Sequence, residues 1–432
     1  MIVIRFLLLT ACALTSAPSL RAQVTTIDNV TIVDVTNGRL HPRQSIVIEG
    51  RRITRIEGAS AETRARATLD GTGMFVIPGL WDMHVHAYFT NDTARFRGTN
   101  EVMLPLFIAN GVTGVRDLGS NLEATLAARD SIAAHQLIGP RMLVSGPMID
   151  GPTSRYAAAI KVATPDEARE AVRMLKTHGV DLIKTQTLIP RAAYFALADE
   201  ATRLGIPFEG HVPSEITGME AITAKQRSFE HLIGVSDTNT TLIAALAKHR
   251  VWQCPTVINS VGTAADFTSD PDLIFWLRPS VEGWRRTALE RLSANDSVTQ
   301  ASQARARRRL EQIRSIHARK IPFLAGTDAP AGYDLVPGAS LHRELQLFVR
   351  AGLTPLEALQ TATLNPATFF GRTANWGTVA AGKSADLVVL ARNPLVDIAN
   401  TRSVVAVVAD GRFFSSRALD SLRLRIMEVA GK

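Results

Sequence analysis

Histidines that close short apolar runs give the first indication of chemistry in this chain. His84 and His86 end the segment 79–86 and lie two residues apart. On a β-strand this spacing sends both side chains to one face, where two neutral imidazoles can bind one divalent ion. A lone His-x-His pair is more often a packing feature. The interpretation as a metal site therefore depends on partners elsewhere in the chain.

Three other residues with metal-binding side chains follow strand-like apolar runs, and a further run ends at Lys184. The three are His211, His231 and Asp328. If these runs are parallel strands of one barrel, their carboxyl ends meet in one volume. The combination predicts a metal site more strongly than any of its members does alone.

The composition restricts which ligands such a site can use. The 432 residues include two cysteines, Cys12 and Cys254, which excludes a disulfide scaffold and a zinc site rich in thiolates. A hydrophobic content of 46% with 20% charged residues excludes a disordered chain. Any metal must therefore be bound by histidines and carboxylates.

The formal net charge of +8 raises the question of a nucleic-acid partner. Much of the excess lies in residues 305–320, where Leu310, Ile313 and Ile316 recur at helical spacing. This pattern predicts a helix with a solvated basic face. A nucleic-acid surface would add aromatic residues or a known binding fold around the patch. We expect a small-molecule substrate and no nucleic acid, and we leave homo-oligomerisation open.

Alternating strand-like and helix-like segments between residues 79 and 372 must position these side chains. Such alternation is typical of βα units and a parallel sheet. The eight strand candidates are Gly79–Tyr88, Val112–Leu118, Arg141–Ile149, Asp181–Gln186, Pro207–Val212, Ser228–Leu232, Val251–Val257 and Ile321–Asp328. Eight strands over about 250 residues predict an α/β fold, a TIM-like (β/α)8 barrel with its site at the carboxyl ends of the strands.

Both ends of the chain carry further strand patterns. Each end has too few strands to bury a face alone, so we predict one small β-sandwich domain built from residues 23–78 and 373–432. The barrel then spans residues 79–372, and residues 1–22 remain outside the fold.

The first 22 residues are typical of a secretory signal. Arg5 precedes the apolar residues 6–14, which are too few to span a bilayer, and small residues lead to Ala22. We expect export to the periplasm or the medium. Residues 9–12 also resemble a lipoprotein signal, with Cys12 as the acylated residue. No later run is long and apolar enough for a transmembrane segment.

The segment 78–86, PGLWDMHVH, resembles the signature of the metal-dependent amidohydrolase superfamily. Segments that resemble its later metal motifs are Ile183-Lys184, Gly210-His211-Val212, Glu230-His231 and Gly326-Thr327-Asp328. Residues 377–390 resemble the return of the chain into the β-domain, so the resemblance covers the whole mature chain. The nearest branch is the imidazolonepropionase-like group of exported enzymes, which includes dinuclear peptidases.

The resemblance implies two divalent metal ions, taken as Zn²⁺. His84 and His86 would hold the more buried ion with Asp328, and His211 and His231 would hold the second. Lys184 would be carbamylated and bridge the two ions. Its unmodified ammonium would be repelled by two dications. True imidazolonepropionases are mononuclear and lack this lysine, so Lys184 favours the dinuclear peptidase-like members.

The implied activity is hydrolysis of an amide bond by hydroxide formed at the metals, with Asp328 passing the proton to the departing amine. We expect dipeptides or N-acyl amino acids as substrates, with ring opening of a cyclic amide as the alternative. The candidate residues of the substrate pocket are Tyr88, Arg155, Tyr156 and His342. Arg116 and Asp117 are expected to pack in the barrel or to support the ligands as an ion pair.

Two hypotheses from other functional classes compete with the interpretation as a hydrolase. Residues 377–384, GTVAAGKS, match a phosphate-binding loop, but a strand pattern follows them where a nucleotide site needs a helix. An inactive metal-binding homologue is the second alternative. Asp328 argues against it, because a structural metal site has no use for a proton-transferring group.

Export yields a direct prediction about the mature protein. Mass spectrometry of the chain purified from its own host should show an N-terminus at or near Gln23, or at a lipidated Cys12. A cytosolic protein that retains Met1 would contradict it.

Overall fold

The fold is seen in a computed structural model that describes residues 24–89, 98–261, 283, 286, 290, 296–331 and 335–431. The predicted signal in residues 1–22, including Cys12, lies outside the described residues. The strands, in chain order, are β1 (Val24–Val33), β2 (Leu40–Glu49), β3 (Arg52–Gly58), β4 (Leu69–Asp70), β5 (Phe75–Pro78), β6 (Leu80–Val85), β7 (Val112–Asp117), β8 (Arg141–Val144), β9 (Ile149–Asp150), β10 (Ile160–Lys161), β11 (Ile183–Thr185), β12 (Phe208–Gly210), β13 (Ser228–Glu230), β14 (Trp252–Cys254), β15 (Leu387–Leu390), β16 (Val404–Ala409) and β17 (Arg412–Phe414).

Helices alternate with the strands of the middle region. In the described ranges they are α1 (Ala61–Ala65), α2 (Leu104–Ala109), α3 (Leu122–Ala133), α4 (Pro165–Thr177), α5 (Arg191–Arg203), α6 (Gly218–Thr223), α7 (Thr240–Lys248), α8 (Val257–Val261), α9 (Asp296–Ala318), α10 (Ala339–Arg350), α11 (Pro355–Thr361), α12 (Leu364–Phe369) and α13 (Ser416–Gly431). Across the described segments, none of these helices combines the length and the apolar character that a membrane span requires.

Strands from both ends of the chain form one mixed sheet, in the order β17-β16-β15-β5-β1-β2-β3, and β4 also pairs with β1. The junction between the two ends is the antiparallel pair of β5 and β15. Alternating apolar residues such as Ile27, Ile46, Val76, Leu387 and Val408 pack into one buried cluster. The sequence prediction that the two ends combine is therefore confirmed. The sandwich form of this domain and its boundaries stay predictions.

The strands of the middle region are parallel to their neighbours. They lie in a sheet of order β6-β7-β8 and a second of order β10-β9-β11-β12-β13-β14. Seven of the eight predicted strand segments contain one of these strands. In the eighth, residues 321–328, the backbone instead makes an isolated bridge from Phe323 to Gln253, and the next residue, Ala329, bridges to Val85.

Local sequence explains where the helices begin. Thr164 and Glu167 form a capping box at the start of α4, Pro165 is its first residue, and the apolar face includes Val172 and Leu175. The sequence pattern of residues 165–177 predicts a helix over this range, and α4 has the same bounds.

The basic stretch is also a helix, α9, and Ile313 and Ile316 are buried on its inner face. One of its arginines departs from the predicted solvated face. Arg309 points inward and donates to the carbonyl oxygen of His231. The prediction of a solvated basic face is therefore correct for only part of the basic stretch.

Candidate active site

A cavity of about 460 Å³ lies at the carboxyl ends of the parallel strands. Its wall consists of His86, Phe89, Met148, Arg155, Tyr156, Lys184, Gln186, His211, His231, Asn259, Asp328 and Ala331. Five of the six predicted metal ligands are among these residues, and the sixth, His84, lies directly behind them with its ring centroid 4.7 Å from that of His231. The geometry therefore brings all six together.

His84, His86 and Asp328 form the tightest part of this cluster. The Oδ1 atom of Asp328 lies 3.2 Å from Nε2 of His84 and 3.1 Å from Nε2 of His86. The potential ligand atoms of these three buried residues all lie within 4.8 Å of one another. His211 is adjacent, with its ring centroid 4.9 Å from that of His231.

The outer nitrogen of each imidazole on β6 has a hydrogen-bond acceptor. Nδ1 of His84 lies 2.7 Å from the carboxylate of Glu230, and Nδ1 of His86 lies 3.0 Å from the carbonyl oxygen of Gly119. Both Nδ1 atoms therefore carry the proton and donate it. The lone pair of the His84 Nε2 atom is thereby directed into the cluster, as in metal sites whose ligands are oriented by surrounding acceptors, whereas Nε2 of His86 lies 3.1 Å from Oδ1 of Asp328, within hydrogen-bond distance.

The same arrangement recurs at the second pair. Nδ1 of His211 lies 2.8 Å from the hydroxyl oxygen of Thr187, whose proton goes to Gln186. Nδ1 of His231 lies 2.6 Å from the hydroxyl oxygen of Thr256, whose proton goes to the preceding carbonyl. Each hydroxyl is thus left to accept from the imidazole. His84, His211 and His231 thus each leave Nε2 unprotonated, and Nε2 of His86 faces the same cluster beside Asp328.

Burial adds to this preference at three of the four histidines; at His86 burial acts in the same direction, but Asp328 raises the pKa above its ordinary value. Burial lowers the pKa of His231 to about 4, and burial together with Lys184 lowers the pKa values of His84 and His211 well below their ordinary value. A neutral imidazole is the form that binds a metal ion.

Two buried atoms of the cluster have no hydrogen-bond partner among the described residues. They are Nζ of Lys184 and Nε2 of His84. Burial lowers the pKa of Lys184 to about 8, which makes its neutral amine accessible near neutral pH. Unpaired buried polar atoms are costly, so their presence among four inward-facing imidazoles fits a divalent metal site. Histidine nitrogens with one carboxylate are a typical donor set for zinc.

A second geometric cluster, of His84, Glu230 and Cys254, serves a different purpose. Both oxygens of Glu230 are already bonded, one to His84 and both to Arg116. Burial raises the pKa of the Cys254 thiol well above its ordinary value, which disfavours the thiolate that a metal requires. Cys254 packs in the apolar core beside Met83, as expected for a core cysteine.

Arg116 is fully buried beneath the metal cluster. It donates to Glu209, to Glu230 at 2.9 Å, to the hydroxyl of Ser228 at 3.0 Å and to the carbonyl of Met83 at 2.6 Å. Burial disfavours the charge on Glu230, but the Arg116 guanidinium keeps its pKa below the ordinary value. The expected supporting role of Arg116 is therefore seen, but its carboxylate partners are Glu209 and Glu230 rather than Asp117, which accepts from the Ala87 amide and the Ser120 hydroxyl.

Two of the four candidate pocket residues line the cavity. Arg155 donates to the hydroxyl of Tyr156 at 2.8 Å, and its guanidinium lies 5.0 Å from the ring centroid of Tyr156. Phe89 contacts both this ring, at 5.8 Å between centroids, and the ring of His86, at 5.4 Å. These residues form a cationic and aromatic entrance beside the metal cluster.

The other two candidate pocket residues lie elsewhere. The His342 side chain is buried between Thr401 and the carbonyl of Asn110, 3.0 Å from each. Asn110 precedes β7, so His342 faces the amino ends of the strands. Tyr88 donates to Asn100 and is not in the cavity wall. The prediction that these two residues line the mouth is wrong, because packing turned both side chains away from it.

Sequence reasoning missed several residues of the cavity. Asn259 donates to Oδ2 of Asp328 at 2.6 Å, and Phe89, Met148 and Gln186 complete the wall. The sequence could have indicated Gln186, since this residue lies two positions after Lys184 and shares its face of the strand. The sequence gave no indication of Asn259, because this residue is on α8, a helix after the seventh strand.

Residues 377–384 do not form a phosphate-binding loop. They lie in turns between α12 and β15, and Nζ of Lys383 is bonded to the carbonyl of Thr373 at 2.8 Å and to the hydroxyl of Thr378. With no helix directly after the motif and its lysine already bonded, the nucleotide reading is wrong.

Comparison with known proteins identifies the class. The profile of the amidohydrolase family matches residues 75–414, so the chain belongs to this family. It is a metal-dependent amidohydrolase, as the motifs predicted.

Particular relatives differ in the reactions that their names describe. The chain is 26% identical to the ochratoxinase of Aspergillus niger, over 78% of this chain and 75% of that one. It is 24% identical to the 5'-deoxyadenosine deaminase of Methanothermobacter thermautotrophicus, over 86% of this chain and 88% of that one. Among solved structures, a bottromycin amidohydrolase superposes with a TM-score of 0.76 at 24% identity, over 94% of this chain and 90% of that one. A Xaa-Pro dipeptidase superposes with a TM-score of 0.71 at 21% identity, over 91% of this chain and 100% of that one.

The buried ion pairs of Arg116 yield a stability prediction. Arg116→Met leaves Glu209 and Glu230 buried without their cation, so the free energy of unfolding should fall by about 3–5 kcal/mol. Urea denaturation measures the change. The matched control is Arg203→Met on α5, whose exposed guanidinium pairs with Glu200; because Glu200 keeps Arg173 as a partner, this variant should lower the free energy of unfolding much less. Equal losses in the two variants would contradict the role given to Arg116.

Proposed function

We propose that this protein hydrolyses small amides that carry a free carboxylate, such as dipeptides and N-acyl amino acids, with two divalent metal ions. One observation carries the proposal. Five of the six candidate metal ligands and the cation of Arg155 line the same cavity, and His84 lies directly behind those ligands. A metal cluster supplies hydrolysis, and a nearby arginine recognises a carboxylate.

The candidate ligands divide into two groups. His84 and His86 with Asp328 would hold one Zn²⁺ ion, and His211 and His231 would hold the other. Lys184, carbamylated on Nζ, would offer one oxygen to each ion, which accounts for a buried amine without a partner. When bound, the two ions supply Lewis-acid polarisation of the scissile carbonyl and lower the pKa of water at the site.

Asp328 is the group of this chain that moves the proton. Its Oδ2 atom accepts from Asn259 at 2.6 Å, which fixes the carboxylate plane while Oδ1 faces His84 and His86. Burial opposes its ionisation, but the neighbouring imidazoles of His231 and His84 hold its pKa below the ordinary value. A carboxylate in this position takes the proton from the attacking water and delivers it to the amine, which leaves only when protonated.

Arg155 and Tyr156 would orient the substrate. The guanidinium of Arg155 and the hydroxyl of Tyr156 are 2.8 Å apart and can receive the two oxygens of one carboxylate. The ring of Phe89 beside them offers an apolar surface for a neighbouring side chain. This pairing favours amides of amino acids over the cyclic amide of an imidazolone. Lys184 favours the dinuclear peptidase-like branch, because true imidazolonepropionases are mononuclear and lack this lysine.

The architecture that supports this function is proposed as one closed (β/α)8 barrel over residues 79–372 with a two-layer β-domain from residues 23–78 and 373–432. Closure is supported by the bridges of Phe323 and Ala329 and by the hydrogen bond from the Asp181 amide to the Val144 carbonyl, 2.8 Å. Export through the signal in residues 1–22 completes the proposal.

A paired variant tests substrate recognition. For a dipeptide such as glycylphenylalanine, Arg155→Ala should raise KM by about tenfold or more, because one charge-assisted contact to the carboxylate is lost. For the same peptide with its C-terminus amidated, Arg155→Ala should leave KM unchanged. Arg417→Ala, an exposed arginine on α13, is the control. Ring opening of an imidazolone without turnover of any peptide or acyl amide would contradict the proposed substrate class.

Lys184→Ala tests the dinuclear carbamate. The variant should keep the fold, bind one metal ion or fewer where the parent binds about two, and lose turnover by several orders of magnitude. Metal content is measured by elemental analysis of the purified protein, and added short carboxylic acids should restore part of the activity. Lys176→Ala, an exposed lysine on α4, is the matched control. If Lys184→Ala retained two metals, the bridge would be wrong, and a mononuclear site on His84, His86, His211 and Asp328 would replace it.

A further inference from the structure

The segment that follows β14 contacts both halves of the metal cluster. The hydroxyl oxygen of Thr256 accepts the Nδ1 proton of His231 at 2.6 Å, and the side-chain amide of Asn259 donates to Oδ2 of Asp328 at 2.6 Å. His231 belongs to one proposed metal group and Asp328 to the other. The placement of residues 256–259 therefore controls the tautomer of an imidazole and the plane of a carboxylate at the same time.

The backbone of this segment adopts a conformation that its own sequence disfavours. Thr256 has a φ of +44°, in the left-handed region that β-branched residues rarely enter. Such a conformation is strained, and it persists only where surrounding contacts enforce it. The helix that follows, α8, has five residues, which is too short for a helix to be stable by itself. Contacts from elsewhere in the fold must therefore hold the segment in place.

A carboxylate on another helix supplies these contacts. Glu344 lies on α10, and its side chain is fully buried. Its Oε1 atom accepts from the backbone amide of Val257 at 2.9 Å, and its Oε2 atom accepts from that of Ile258 at 2.8 Å. The first amides of a helix have no partner within the helix, so Glu344 caps α8 from outside the segment. The two bonds fix the orientation of the backbone between Thr256 and Asn259.

Apolar packing alone does not account for this arrangement. The side chains of Val257 and Ile258 are buried in the main core, but hydrophobic contact is non-directional and does not set the rotation of a short helix. Burial raises the pKa of Glu344 to about 8, so the core keeps this carboxylate against an electrostatic cost that the charge of Arg309 partly offsets. An apolar side chain would avoid that cost but would leave two amides without their acceptor.

We propose that Glu344 is a positioning residue of the active site. Through its two backbone bonds it holds the Thr256 hydroxyl against His231, which keeps the proton of that imidazole on Nδ1. Through the same bonds it holds the Asn259 amide against Asp328, which keeps the carboxylate in the plane that proton transfer requires. Glu344 thus acts on both groups through the backbone. The inference rests on the proposed roles of His231 and Asp328, but it does not depend on the proposed substrate.

The tautomer of His231 in the metal-free protein tests the first of these effects. Nitrogen NMR of the parent labelled at its histidines should show the His231 proton on Nδ1, at about pH 9 where the Glu344 carboxylate is charged. The signal is assigned by its loss in His231→Gln. Glutamine has the size of glutamate, but its amide nitrogen cannot accept, so Glu344→Gln loses one of the two backbone bonds. We expect the His231 signal in this variant to shift toward the tautomer with the proton on Nε2.

Two further variants calibrate this measurement. Thr256→Val keeps the branched shape of the side chain but removes the acceptor, so it should show the same shift of the His231 signal. The matched control is Glu200→Gln on α5, a buried carboxylate whose two oxygens are likewise bonded, to Arg173 and Arg203. Glu200→Gln should leave the tautomer of His231 as in the parent, because its partners lie outside the cluster.

Steady-state kinetics of the metal-loaded enzyme, with any amide that the parent hydrolyses, tests the second effect. Glu344→Gln should lower kcat by about tenfold or more and leave KM within about twofold, because proton transfer at Asp328 is impaired while the contacts of Arg155 are intact. In an Asn259→Ala background the same change should lower kcat by a smaller factor, since effects that act through one contact are not additive. Glu200→Gln should leave kcat unchanged.

An unchanged His231 tautomer in folded Glu344→Gln overturns the proposal, and so does a loss of kcat that is equal with and without Asn259. If Glu344→Gln does not fold, hydrogen exchange of the parent decides. Slow exchange of the Val257 and Ile258 amides supports the two bonds, and exchange as fast as in an exposed loop overturns them. Because the tautomer is read without metal or substrate, a failure of the proposed function leaves that result unchanged, so the two failures are distinguishable.

Discussion

The arrangement of the active site depends on one buried cation. Arg116 lies on β7, and its guanidinium joins the backbone of β6 to carboxylates on β12 and β13. Because the charges of Arg116, Glu209 and Glu230 are all removed from water, each of them is stable only while the others are in place. Such a group adds little net stability compared with apolar packing. It does fix the position of β7 relative to three strands, β6, β12 and β13, whose ends carry the four histidines of the cluster.

The orientation of the imidazoles follows from this constraint. Glu230 is held by Arg116 and in turn accepts the Nδ1 proton of His84, so that the other nitrogen faces the cluster. A carbonyl and two hydroxyls orient the remaining histidines, although Nε2 of His86 lies within hydrogen-bond distance of Asp328. Four separate local contacts thus turn four imidazoles toward one cluster, next to a lysine whose amine has no hydrogen-bond partner among the described residues. This convergence explains why the chain is suited to the metal chemistry of its family.

The two ends of the parallel strands serve different purposes. The carboxyl ends present ligands, an arginine and aromatic rings to one cavity, whereas the amino ends meet the sheet built from both termini and enclose a larger cavity. Glu209 connects the two regions, since one of its oxygens binds Arg116 and the other belongs to the wall of the larger cavity. The interior between the two ends of the parallel strands is therefore partly ionic. Both cavities border the buried charges of Arg116 and Glu209 or the residues bonded to them.

The sequence by itself determined the strand ends that carry His84, His86, His211 and His231, and it determined helix α4, because strand alternation and helix caps are local properties of neighbouring residues. It also indicated Asp328, although residues 321–328 form only an isolated bridge in place of the predicted strand. The family resemblance then added Lys184 as a ligand. The tertiary structure alone decided that Asn259 holds Asp328 and that His342 faces the opposite end of the strands. It also decided that Arg116 meets Glu209 and Glu230, 93 and 114 residues further along the chain. Such contacts depend on how elements pack against each other, and the direction of a side chain on a helix or loop is set by that packing rather than by its own sequence.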